Sequence, residues 1–319
     1  MSRSFLPFDG SKYRCVRADI HIDELKSILS RYTENMPFNL YFETSNVRNL
    51  RAFFGVVGYP PAIASFALGD VIHSLRSSLD HLAGDLARLN RRSPRSVGFP
   101  ISDSASSLKS AIENRNFRRV SKDCLEKLNE ISPYKGGNDA LYYLNKISNF
   151  DKHSISIPIW PQFECKELIV APPVGSETIF YNFKADPDAR LNVNYLPYSM
   201  KFINASTKMV FHQDVEADLK GLEVIGMVED IRDTVRDVIS QFEKVTTGRN
   251  RPFPKKFVEN TISASTPPRP KVFVKEADAL IETGSTWDLS EAWSLIQRGE
   301  DARFGLFRST ASAFYTPTA

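Results

Sequence analysis

Imidazole, carboxylate and guanidinium groups crowd into one short stretch of this sequence, GDVIHSLRSSLDHL (residues 69–82), which carries Asp70, His73, Arg76, Ser77, Asp80 and His81. The whole chain of 319 residues has only five histidines, and two lie here, eight positions apart. A third closes a second dense polar group, Asp151, Lys152 and His153. Imidazole changes charge near neutral pH and so suits general acid–base work. A neighbouring aspartate can orient it or share a metal with it. Arginine presents a planar fork that matches a phosphate. These types point to proton transfer, phosphate handling or metal ligation.

The elements that must position these groups can be read from periodicity. Residues 62–89 place Phe66, Leu75, Leu79, Leu82, Leu86 and Leu89 at helical spacing, which predicts one long helix of roughly 40 Å. At 100° per residue, Ser77, His73, Asp80 and His81 fall with Asp70 on a face about 100° wide, with Gly84 beside them. Arg76 stands at its edge, about 140° from His81. Short side chains reach little and need close partners. One reading is therefore a structural network of Asp–His and Asp–Arg hydrogen bonds between packed helices.

Further helices are predicted over 19–33, 107–113, 122–131, 138–149 with Asn138 as N-cap, and 215–245. Residues 39–43 and 50–57 read as a hairpin, and the runs in 154–205 as antiparallel strands separated by proline, glycine and asparagine turns. The expected fold class is α+β: a helical bundle with a long central helix packed beside an antiparallel sheet, plus an extended C-terminal arm. Residues 1–245 should form a single domain. Residues 246–319 read as a proline-rich basic linker and arm with one short helix over 287–298. Asp151, Lys152 and His153 should lie where a helix gives way to a strand, a place where cations suit the exposed carbonyls.

The balance of 42% hydrophobic and 25% charged residues, with net charge +3, suits a soluble globular protein and does not by itself demand nucleic acid. Three scattered cysteines predict free thiols in a reducing compartment, hence a cytoplasmic protein. No run is long and apolar enough to predict a membrane span. Arg88, Arg91, Arg92 and Arg95, then Arg115, Arg118 and Arg119, concentrate positive charge that could track a phosphate backbone. Arg249, Arg251, Lys255 and Lys256 interleave with Phe253 and Phe257 in a second basic patch.

The spacing RSSLDH, Arg76 followed by His81 after four residues, resembles the motif of the HEPN superfamily. That resemblance implies a metal-independent ribonuclease of toxin or phage-defence systems, acting on RNA as a homodimer. His81 would serve as general acid or base, and Arg76 would hold the scissile phosphate. The family usually has Asn, Asp or His after the arginine, where this chain has Ser77. The longer pattern GDxxHxLRSxLDHL, followed by FPI at residues 99–101, Pro133-Tyr134 and NFDKH at residues 149–153, resembles a broad group of uncharacterised bacterial and phage-associated proteins. The positions to test first as catalytic are Arg76, Asp80, His81, Asp151, Lys152 and His153. No cofactor is expected. The alternative is a divalent metal held by residues among Asp70, His73, Asp80, His81 and His153, which helix bundles can assemble.

Overall fold

The computed structural model describes residues 6–34, 38–46, 49–56, 59–154, 156–171, 175–185, 190–193, 199–212, 214–254, 273–276 and 279–282. The fold is α+β, and the chain divides into two compact units. The first contains residues 1–29, 61–159 and 210–263; the second contains 30–60, 160–209 and 264–319.

The helical unit is built from α1 (Asp9–Glu34, its last residues in the second unit), α2 (Ala62–Leu89), α3 (Leu108–Asn114), α4 (Lys122–Ile131), α5 (Asp139–His153) and α6 (Val224–Thr247). Leu75, Leu79, Leu82 and Leu86 turn the predicted apolar stripe of α2 into its core face, whereas Phe66 and Leu89 are exposed. Val228, Ile231, Val235, Val238, Ile239 and Phe242 do the same for α6. Phe99, Phe117 and Phe242 meet edge to face with centroids 5.8–6.4 Å apart, a geometry that aligns ring edges with ring faces. Pinning Phe99 in this cluster fixes the segment that crosses α2 beside the polar face.

Helix ends follow local chemistry. Asn138 accepts the Leu141 N–H and caps α5, as its sequence position predicts. Ser121 caps α4 through the Cys124 N–H. The carboxylate of Glu223 takes the Ile225 and Gly226 N–H groups and starts α6 there, nine residues later than the apolar period suggests. Val215 and Leu219 are nonetheless buried, inside turns rather than a helix. Tyr142 Oη and Lys135 Nζ both donate to Asp218, at 2.8 and 2.6 Å, tying α5 and the turn before it to this segment.

Two further boundaries differ from expectation. Helix α1 begins at Asp9 rather than near residue 19, and its first turns bury Ser11 and Lys12 as well as Cys15 and Val16. Polar residues on the inner face hid the period. Helix α5 runs through His153, so Asp151, Lys152 and His153 form its last turn instead of following it.

The second unit is strand-rich. The hairpin of β1 (Phe38–Asn46) and β2 (Asn49–Val56) is extended by antiparallel β5 (Arg190–Val193). Strand β3 (Ile159–Ala171) pairs antiparallel with β4 (Thr178–Ala185) and β6 (Ser199–Ile203), and β7 (Ser206–Phe211) also pairs with β3. The register sets Phe163 opposite Ala185 and Leu168 opposite Phe202. A short hairpin joins β8 (Phe273–Glu276) to β9 (Ala279–Glu282).

Part of the expected C-terminal arm belongs to the helical unit. Lys12 Nζ donates to Glu243 Oε2 at 2.6 Å and to the Arg251 carbonyl at 2.5 Å. Arg251 donates to Glu243 Oε1 at 2.7 Å and to Asp9 Oδ1 at 2.8 Å. The Phe253 ring lies within cation–π range of Lys12 and Arg236, at 5.4 and 5.2 Å. The chain past α6 is thus clasped against α1 by interactions among residues far apart in sequence. The helix expected over 287–298 lies outside the described residues.

Candidate functional site

The long polar face of α2 divides into three neighbourhoods with different chemistry. In the middle, Arg76, at the edge of that face, is buried. Its Nη2 donates to the Phe99 carbonyl at 2.7 Å and to Asp80 Oδ1 at 3.2 Å. The same Asp80 oxygen accepts the Phe99 N–H at 2.9 Å. One residue's amide and carbonyl are therefore clamped by an i, i+4 pair on α2. Gly98 allows this approach, because a Cβ there would stand 3.2 Å from Asp80 Oδ1. Burial pushes the Arg76 guanidinium pKa down, Asp80 opposes that shift, and Arg115 adds to it. Arg76 Nη1 has no hydrogen-bond partner among the described residues. Both groups thus hold the Phe99 backbone.

Toward the start of α2, Asp70 and His73 are exposed and Ser77 Oγ lies 3.4 Å from His73 Nε2. Asp151 reaches this point from α5. A Cβ at Gly69 would meet Asp151 Oδ1 at 3.0 Å, so the glycine admits the carboxylate between the helices. Burial pushes the Asp151 carboxyl pKa up; His73 opposes this, Asp70 adds to it, and Lys152 opposes it. Lys152 and His153 are exposed in the final turn of α5.

His81 belongs to a third neighbourhood. It lies twelve residues beyond Gly69, roughly 18 Å along the helix. Asp151 is therefore brought to Asp70 and His73, not to His81. Helix α1 packs here instead: a Cβ at Gly10 would stand 3.3 Å from His81 Nδ1, and Ser78 Oγ donates to the Ser11 carbonyl at 2.7 Å. Burial pushes the His81 pKa below its usual value; Arg14 lowers it further, Asp85 opposes, Arg88 lowers it, and Asp80 opposes. A cavity of about 550 Å³ opens beside it, lined by Leu6, Pro7, Gly10, His81, Asp85, Arg88 and Leu89. Asp85 is its hub, accepting the Phe8 N–H at 2.9 Å and Arg88 Nη1 at 2.5 Å. Asp85 follows His81 by four residues but projects about 60° round the helix from Asp70, outside the face that drew attention in the sequence.

The arginine segments become one surface. Asn90 Nδ2 donates to the Arg119 carbonyl at 2.9 Å, Arg119 Nη1 to the Arg95 carbonyl at 2.8 Å, and Asn116 Nδ2 to the Ser96 carbonyl at 3.1 Å. The Gly98 N–H donates to the Arg115 carbonyl at 3.0 Å. Left-handed backbone at Arg91, Ser96 and Asn116 supplies the reversals these contacts need. Arg91, Arg92, Arg95 and Arg115 are exposed and have no carboxylate partner among the described residues, while Arg88 pairs with Asp85 and Arg118 with Glu113.

Among the described residues, no group of three or more His, Cys, Asp or Glu is arranged to hold a metal ion. No helix among them is long and apolar enough to cross a membrane. All three cysteines are free and buried. No protein-family model, curated protein or solved structure matches this chain, so the chemistry of these neighbourhoods is what bears on function.

Proposed function

We propose that the protein acts on RNA, binding its backbone across the arginine surface and using His81 as the acid–base group of a ribonuclease. The observation that carries this reading is the joining of residues 90–98 to 115–119, which brings together segments bearing exposed Arg91, Arg92, Arg95 and Arg115, none with a carboxylate partner among the described residues. Such a concentration of cations attracts a polyanion and releases its counterions.

His81 lines the same cavity as Leu89, and Arg91 and Arg92 follow Leu89 in the chain. A histidine whose pKa is lowered is neutral at pH 7 and can accept the 2′-hydroxyl proton. The 2′-oxygen would then attack phosphorus and the 5′-oxygen leave with a proton from water, giving a 2′,3′-cyclic phosphate. The exposed arginines take the phosphate-binding role that the HEPN resemblance implies for Arg76, which instead shapes the segment through Phe99. The toxin or phage-defence role, the homodimer and the cytoplasmic location belong to the same reading.

The clamp favours a second reading for part of the motif: Arg76 and Asp80 form a structural network in a non-catalytic interaction protein. One experiment separates the two. Full-length protein is incubated with total RNA and a chelator, and binding and cleavage are scored together. Cleavage lost in His81→Ala supports the nuclease. Binding without cleavage leaves an RNA-interaction protein, and absence of both refutes action on RNA.

A further inference from the structure

The His81 cavity has features that the arginine surface lacks. Its volume of about 550 Å³ lies within the range of small-molecule sites and exceeds what one nucleobase requires. Leu6, Pro7 and Leu89 supply apolar walls, and Leu6 and Leu89 remain solvent-exposed. Deeper in, the Asp85 side chain is only 13% exposed. Each of its oxygens already accepts one hydrogen bond, Oδ2 from the Phe8 N–H and Oδ1 from Arg88 Nη1. A carboxylate oxygen has two lone pairs, so each retains room for one more donor.

The Asp85 end of the cavity suits a phosphate poorly, because the carboxylate would repel it. A planar apolar group with an exocyclic amino donor suits it well. We propose that the cavity receives one unstacked base of a bound RNA strand and prefers a base bearing an exocyclic amino group, which donates to Asp85. This rests on the RNA reading above and adds the base selectivity of its site.

The geometry gives the base a route. Leu89 forms one wall, and Arg91 and Arg92 begin the exposed arginine surface two residues later. Phosphates on that surface leave a neighbouring base free to turn into the cavity, the usual way single-stranded RNA is read. The aliphatic walls bury its faces, and a carboxylate that accepts from the cytosine N4 amino group discriminates against uracil, which carries a carbonyl there.

The test compares oligo-C and oligo-U RNA of equal length on the full-length protein, by fluorescence anisotropy at several salt concentrations. The backbones are identical, so the arginine surface treats them alike. Oligo-C should bind roughly tenfold more tightly, the ratio conferred by one hydrogen bond to a charged group. Asp85→Asn should abolish that preference, since its amide can still accept the Phe8 N–H but also presents donors to the amino group. Leu89→Trp, at an exposed wall, should narrow the cavity and bring oligo-C down to the affinity of oligo-U. Equal binding of both RNAs by the unaltered protein overturns the base site and leaves the RNA reading standing. A preference that survives in both variants also overturns it. Binding of neither RNA removes the RNA reading, and the base site with it.

Discussion

Replacing Glu243 with alanine should destabilise the helical unit by about 3–5 kcal/mol, the cost of leaving a buried charge without its partner. Glu243 is 1% exposed and Lys12 is 2% exposed. The carboxylate accepts Lys12 Nζ at 2.6 Å, Arg251 Nε at 2.7 Å and the Arg251 N–H at 3.1 Å. Alanine leaves the Lys12 ammonium buried with the Arg251 carbonyl and the Phe253 ring but no counter-charge, and removes the acceptor of the Arg251 backbone amide. For a unit of this size the loss corresponds to roughly 6–20 °C in melting temperature. Thermal and urea unfolding, followed by circular dichroism, measure it. The double variant Lys12→Met, Glu243→Leu should recover part of the loss, because apolar groups can fill a buried ion-pair site. Acid should act in the same direction as Glu243→Ala. Burial alone would raise the Glu243 pKa, but bonds from Lys12 and Arg251 outweigh it and hold the group below 4.5. A depressed carboxylate pKa stabilises the fold above the unfolded value, and that contribution is lost as pH falls through the folded value. A loss below about 1 kcal/mol, within the range of exposed ion pairs, would refute the buried-clasp account.

The clamp predicts that Asp80→Ala costs about 2–4 kcal/mol in urea unfolding, since the Phe99 amide and buried Arg76 both lose an acceptor. A cost no larger than for exposed Asp103→Ala would refute the clamp. Gly69→Ala should fail to gain the roughly 1 kcal/mol that alanine normally adds in a helix, and should gain it once Asp151→Ala removes the oxygen 3.0 Å away. Additive effects in that double-mutant cycle would argue against the close approach. The His81 imidazole should titrate below 6.5 by NMR, and Arg14→Gln should raise it. Because the folded state resists protonation there, stability falls with pH through the window below 6.5; a value above 6.5 contradicts the site's electrostatics. Arg91→Ala and Arg92→Ala should each reduce the slope of log affinity for single-stranded RNA against log salt by about 0.7. An unchanged slope would place the RNA elsewhere.

Much of the local architecture was legible in the chain. Leucines three and four residues apart can satisfy only a helix with one buried stripe, so α2 was readable from 62 to 89, and Asn138 identified the start of α5 by its capping chemistry. The same reasoning gathered Asp70, His73, Ser77, Asp80 and His81 onto one face. It could not say what each group meets, because periodicity locates a side chain around its own helix and carries no information about the neighbour.

Tertiary packing decided the rest. The Phe99 cluster brings the Phe99 peptide between Arg76 and Asp80 and makes the most nuclease-like arginine a buried anchor. Gly69 lets Asp151 approach Asp70 and His73, while α1, through Gly10, claims His81. Lys12, Glu243 and Arg251 share no local pattern, since their partners are separated by up to 239 positions. Sequence periodicity thus set which groups share a helix face, because helix geometry is local. Which of them stay open to solvent and which hold the fold together depended on contacts made only when distant segments pack.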